Sequence, residues 1–207
     1  MKFLSIGITL LLTPFFSHAE KTAEEAAVLA RQMVRDYGIG TLITSYPDGQ
    51  PFGTMDYFSD DCGRTGNPIF LMSTLQISVQ NLDTSPRGAF AIQMQLPNPR
   101  QSPMPHARFT LMGEVKKIPQ AEAESQQLKE CFLRKHSEAK WWINYPDFQF
   151  YRMEVDRVFW IGGFGGYHYI GPIDPDTYHS AEVEGLPTLR THQKPVWDKV
   201  REIVFQG

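Results

Sequence analysis

Ile69-Phe-Leu-Met-Ser-Thr-Leu-Gln-Ile-Ser-Val-Gln-Asn-Leu82 reads as a short apolar strand, Ile69 to Met72, running into a helix of one or two turns with Ser73 or Thr74 at its cap. A helix start presents free backbone N–H groups and the positive end of the dipole, the usual seat of a phosphate. A doubly charged phosphate normally draws one or two basic side chains as well. This stretch has neither Lys nor Arg, and Ile77, Ser78 and Gln80 occupy the positions from which such side chains would project. Two readings follow. In one, Ser73, Thr74, Gln76, Ser78 and Asn81 line a phosphate-type cradle from which the charge has been removed, each offering a hydroxyl or amide. In the other they form an ordinary polar helix cap, with Leu75, Val79 and Leu82 turned to the core.

Moving outward, Thr41–Tyr46 and Phe52–Phe58 flank Pro47-Asp48-Gly49-Gln50-Pro51, a strong turn signal between two β-rich runs, and predict a hairpin. Before it, Thr22 and Glu25 make a capping box ahead of Ala26, Leu29, Ala30, Met33 and Tyr37 at helical spacing, ended by Gly38 and Gly40. After the short helix come strands at Ala89–Gln95 and Ala107–Lys117, separated by a proline-rich loop. A second long helix begins at Pro119, carries Leu128, Cys131, Phe132 and Lys135 on one stripe, and closes at Trp141 and Trp142. Phe148–Val155 and Arg157–Ile161 read as two strands joined by a tight turn at Asp156. Beyond Gly171 the chain reads as an extended tail with a last helix at Trp197–Val204. The expected fold is α+β, mostly β: a six-stranded antiparallel split β-barrel with peripheral helices, closed so that its edges are hidden.

Lys2 followed by the apolar run Phe3–Phe16 and Ser17-His18-Ala19 predicts a secretory signal over residues 1–19, with an uncleaved anchor as the competing reading. The split-barrel domain is expected over 20–172 and a C-terminal extension over 173–207. No later run approaches the roughly 18 apolar residues of a membrane span. The expected location is secreted, or in the periplasm or a secretory-pathway lumen. A formal net charge of −3 with no basic stripe argues against nucleic acid as a partner. Cys62 and Cys131 either pair or remain two thiols, and spacing does not decide. None of Asn67, Asn81, Asn98 and Asn144 begins a glycosylation acceptor. His106, His136, His179 and His192 lack zinc-site spacing, so no metal is expected, and neither a Gly-x-Ser-x-Gly elbow nor a Walker-type loop occurs.

The ordered set of Ser73-Thr74-Leu75-Gln76-x-Ser78-x-x-Asn81-Leu82 between strands, Leu111-Met112-Gly113, Phe132-Leu133-x-Lys135-His136 and Ile161-Gly162-Gly163-Phe164-Gly165-Gly166 resembles the CREG-like β-barrel family over about Ala23 to Tyr178. These are secreted relatives of the pyridoxamine 5′-phosphate oxidases with the FMN-binding split-barrel fold. The resemblance implies a homodimer with the ligand cleft between subunits. It also implies a secreted, non-catalytic protein with a degenerate flavin cleft, no catalytic residues and no cofactor, acting by binding an unknown protein or small molecule. Flavin-binding relatives place basic residues where Ile77, Ser78 and Gln80 stand here, and a cation reaching the turn from elsewhere, Arg64 or Lys116, would overturn that expectation. The alternative is an FMN-dependent oxidoreductase of the pyridoxamine 5′-phosphate oxidase type, or a haem-binding or haem-utilisation protein using the same cleft. In the haem case His168 is the axial-ligand candidate, flanked by Phe164, Tyr167 and Tyr169. The plain reading of His168 is a partly exposed strand histidine.

Overall fold

The computed structural model describes residues 20–62, 65–98 and 100–183. The expected signal over 1–19, the helix expected at Trp197–Val204 and Arg64 lie outside the described residues.

Helix α1 (Ala23–Asp36) opens on the expected capping box, with Thr22 Oγ1 accepting from the Glu25 N–H and the Glu25 carboxylate accepting from the Thr22 N–H. Its stripe of Ala26, Ala27, Ala30, Met33 and Val34 is buried. At its far end Lys135 Nζ donates to the carbonyls of Val34 (3.1 Å) and Tyr37 (2.7 Å), groups that a helix terminus leaves without partners. Burial brings the Lys135 ammonium down to about 8.

The expected hairpin is β1 (Ile39–Ser45) and β2 (Pro51–Ser59). It is followed by β3 (Ile69–Ser73), α2 (Ile77–Thr84), β4 (Arg87–Gln93) and β5 (Arg108–Lys117). Then come α3 (Gln120–Ser125), α4 (Leu128–Lys135), a 3-10 turn (Ser137–Trp141), β6 (Phe148–Ile161), β7 (Ile170–Ile173) and α5 (Pro175–Ser180). Strand order is β3-β2-β1-β4-β5-β6-β7, and β3 also pairs with β6. That last pairing closes six strands into an antiparallel barrel and leaves β7 as an added strand beside β6. Leu42, Phe58, Phe70, Phe90, Leu111, Met153 and Trp160 fill the barrel. Every residue of β3 is buried because both its faces are covered: Phe70 and Met72 belong to the barrel core, while Ile69 and Leu71 pack with Leu128 and Phe132 of α4.

Several local expectations are corrected. Phe148–Ile161 is one strand, not two around a turn. Met112 pairs with Arg157 and Gly113 with Val155, so Asp156 is the extra residue of a β-bulge. A Cβ on Gly113 would lie 1.9 Å from the Glu154 carbonyl oxygen, which explains the glycine there. The helix expected from Pro119 is broken at Gln127, which takes a left-handed conformation (φ 54°, ψ 38°). Arg152 grips the end of α3 through Glu122 (2.7 Å) and Gln126 (2.6 Å), while Leu128 turns into the cluster of Ile69 and Ile118. Cys62 and Cys131 are joined, with Cα atoms 5.8 Å apart, tying α4 to the loop after β2. Residues expected to begin an extension at 173 include core members: Ile173 lies in β7, and the buried Tyr178 of α5 donates to the Gly66 carbonyl at 2.7 Å.

Candidate functional site

The turn between β3 and α2 differs from the expected cap. α2 begins at Ile77 with Gln76 as its N-cap and no side-chain cap bond. Ser73 ends the strand. Its hydroxyl donates to the Asp147 carboxylate at 2.5 Å and accepts from the Leu75 N–H at 3.1 Å. The Thr74 N–H donates to the Asp147 carbonyl (2.9 Å) and the Gln76 N–H to the Ser73 carbonyl (3.0 Å). Thr74 is exposed, and so is Leu75, which was expected in the core; Val79 and Leu82 are buried as expected. Asn81 is buried on the inner side of α2 and donates to Thr44 Oγ1 of β1 at 3.0 Å. Ser73, Thr74 and Gln76 therefore share one turn, whereas Asn81 serves the helix–strand contact.

A second carboxylate stands on β2. Asp56 Oδ1 lies 3.5 Å from Gln76 Nε2, while Asp56 Oδ2, Gln76 Oε1 and the Ser78 hydroxyl are buried without a hydrogen-bond partner among the described residues. Burial raises the Asp56 carboxyl to about 6, and the Gln76 amide opposes that shift. Lys116 does not serve this turn: its ammonium pairs with Glu114 (2.5 Å) and Glu154 (3.2 Å). The residues of this turn do not suit a flavin phosphate. Three backbone N–H groups and a hydroxyl are already committed, and the charges beside them are negative.

The second place is the glycine-rich segment between β6 and β7. Glu20, only 7% exposed, is held there by three bonds. Its Oε1 accepts from Trp160 Nε1 (3.1 Å), its Oε2 meets His168 Nδ1 (3.1 Å), and its carbonyl accepts from the Tyr169 N–H (2.8 Å). A Cβ on Gly162 would fall 1.6 Å from Glu20 Oε1, so glycine makes room for the carboxylate. A carboxylate only accepts, so His168 carries a proton on Nδ1, and its Nε2, the lone-pair nitrogen whenever the ring is neutral, is engaged by no described residue. Phe164 and Tyr167 stand exposed nearby in sequence, and Ile170 follows at 45% exposure. His136, by contrast, is structural: its Nε2 bonds to the Phe58 carbonyl at 2.8 Å, its ring stacks on Tyr57, and burial lowers its pKa.

Sequence reasoning did not pick out Glu20, Asp56 or Asp147. Strand alternation was the available signal for Asp56, which shares the Phe58 side of β2. Glu20 lay directly after the expected cleavage point, where no pattern marks a buried residue.

A closed six-stranded antiparallel barrel of this order is the split barrel of the pyridoxamine phosphate oxidase-like class. Residues 21–180 match the family described as CREG, beta-barrel, and the chain belongs to that family. It is 26% identical over 184 residues to the non-canonical heme oxygenase HOZ of Arabidopsis thaliana, covering 87% of this chain and 53% of the plant protein. Human CREG1 is 27% identical over 174 residues, covering 78% of this chain and 76% of CREG1. Among solved structures, a heme binding protein from Mycobacterium smegmatis superposes with a TM-score of 0.65 at 26% identity, covering 79% of this chain and 62% of that one. The chain thus spans about half of the plant relative's length. No helix among the described residues is long and apolar enough to cross a membrane.

Proposed function

We propose that this protein is a secreted, non-catalytic, dimeric binding protein whose flavin-type seat is filled by its own polar groups. The observation that carries the reading is the Ser73–Asp147 hydrogen bond, backed by Asp56 across the turn. An incoming phosphate would have to displace one carboxylate and lie beside another, with Coulomb repulsion from both. Dimerisation is supported by a row of residues in register across five strands: Met55, Thr41, Ala91, Thr110 and Phe159. The row is uncharged, and its ends, Met55 and Phe159, are 66% and 43% exposed. An uncharged row with exposed apolar ends suits a second copy of the chain. Titration with FMN is expected to give no bound chromophore near 450 nm, and light scattering at micromolar protein to give a dimer. Stoichiometric FMN binding would overturn the non-flavin reading, and a monomer would remove the dimer.

A second reading has its own observation. The Glu20 carboxylate fixes the His168 tautomer and leaves Nε2 available, the arrangement a metal-ligating histidine uses. Proteins named for haem stand among the relatives at 26% identity. Bound haem would supply redox-active iron, and His168 would hold it through Nε2 with aromatic neighbours from the same segment. A Soret band on adding haemin that is lost in His168→Ala would establish this reading; an unchanged band in the variant would sink it.

A further inference from the structure

The break at Gln127 opens a groove that neither reading uses. It has a volume of about 660 Å³, within the roughly 300–1,000 Å³ of small-molecule sites. Apolar residues from several elements line it, Leu71 of β3, Ala123 of α3, Ile143, and Phe148 and Phe150 of β6, beside the amides of Gln120, Gln127 and Gln149. Gln127, the left-handed residue that separates α3 from α4, lines the groove. Non-glycine residues hold that conformation only when surrounding contacts impose it. Here the contacts are the Arg152 grip on Glu122 and Gln126 and the Cys62–Cys131 link, so the groove is pre-formed by packing and cross-linking.

The rim carries a sign. Glu124 and Glu130 both line it, against the single ammonium of Lys129, a net of one negative charge; the Glu124 carboxylate accepts from Gln120 Nε2 at 2.9 Å and Lys129 donates to Asn144 Oδ1 at 2.8 Å. Tyr145, 56% exposed and edge-on to Phe148, adds an aromatic ring at the groove. Carboxylates and a π-face both attract a cation. We propose that this groove is a second binding site, distinct from the β3–α2 turn and from His168, and that it takes a small apolar molecule bearing one ammonium group.

The test is calorimetric titration of the full chain with n-octylammonium, n-octanol and n-octanoate, which share an alkyl body and differ in charge. Octylammonium is expected to bind about ten-fold more tightly than octanol, with octanoate weakest. Equal or tighter binding of octanoate overturns the proposal. The double variant Glu124→Gln/Glu130→Gln changes two exposed side chains outside the core, and is expected to bring the ammonium and alcohol within about two-fold of each other. Retention of the full preference in that variant overturns the charge assignment. Ala123→Phe, which puts a ring in place of a lining methyl, is expected to abolish binding of all three; a folded variant that binds octylammonium unchanged places the ligand elsewhere and overturns the site.

Discussion

The β3–α2 turn and the β6–β7 segment are both polar places beside a barrel strand, and each contains a carboxylate, yet they dispose of it in opposite ways. At the turn the carboxylate of Asp147 takes up the Ser73 hydroxyl, while the backbone carbonyl of the same residue takes the Thr74 N–H. At the segment the carboxylate of Glu20 lies behind an imidazole, occupies one of its nitrogens and leaves the other open. The same chemical group closes one place and prepares the other. The difference lies in which side of the donor it approaches, and that is a property of the fold rather than of composition.

The largest effect should come from removing the room that Glu20 occupies. Gly162→Ala puts a methyl where Glu20 Oε1 now sits, forcing the carboxylate away from the Trp160 indole and His168. Leaving a buried indole N–H and a buried carboxylate unpaired is expected to cost about 3–4 kcal/mol in urea unfolding. A loss under about 1 kcal/mol would mean that the segment shifts freely and that the comparison fails. Glu20→Ala removes the carboxylate itself and should cost about 2–3 kcal/mol, mostly through the orphaned Trp160 N–H. Glu20→Gln separates packing from tautomer. Its carbonyl can still accept from Trp160, but its amide now donates towards His168 Nδ1, which moves the ring proton to Nε2. Nitrogen NMR of His168 should therefore report the Nε2–H tautomer in this variant and the Nδ1–H tautomer in the parent chain.

How much of this was legible in the sequence depends on the range of the interactions involved. The capping box, the hairpin and the strands before Pro119 are local patterns, set by neighbours a few residues apart, and the folded chain reproduces them. Asp156 looked like a turn because a charged residue interrupted an alternating run. Only pairing with β5 shows that it is a bulge, with its side chain turned out to Arg87. Gln127 carried no helix-breaking signal, since the groups at the break come from other parts of the chain: Arg152 of β6, and Ile69 and Ile118, which receive Leu128. At the turn, the missing cations were readable from Ser73–Leu82. The two carboxylates that replace their influence were not, because Asp56 and Asp147 lie 20 and 74 residues from their partners Gln76 and Ser73.

Asp56 gives the turn a pH dependence with a definite sign. Its carboxyl is raised by burial to about 6, above the ordinary value of 3.8, so between these limits the folded chain holds the proton more tightly than the unfolded chain. Stability should therefore fall as pH rises from about 4 to 6, because ionising the group in place costs more than ionising it in water. Asp56→Asn removes that cost and offers Gln76 Oε1 a donor. It should be more stable than the parent by about 1–2 kcal/mol at pH 7 and nearly equal to it at pH 4. An advantage that is the same at both pH values would show that burial of the charge is not its origin.

The smallest effect bears most directly on the contrast. Ser73→Ala removes a hydroxyl that donates to Asp147 and accepts from Leu75, and about 1 kcal/mol is expected because the exposed side of the turn lets water replace part of the loss. Stability alone would not distinguish this from loss of an ordinary cap. The cycle with Asp147→Asn does, since an amide in place of the carboxylate weakens a charge-assisted bond while leaving its shape. A coupling of about 1 kcal/mol between the two positions would show that the turn is held closed by its own carboxylate. A coupling near zero would mean that the serine hydroxyl is available to a ligand after all, and the two places would then differ in degree rather than in kind.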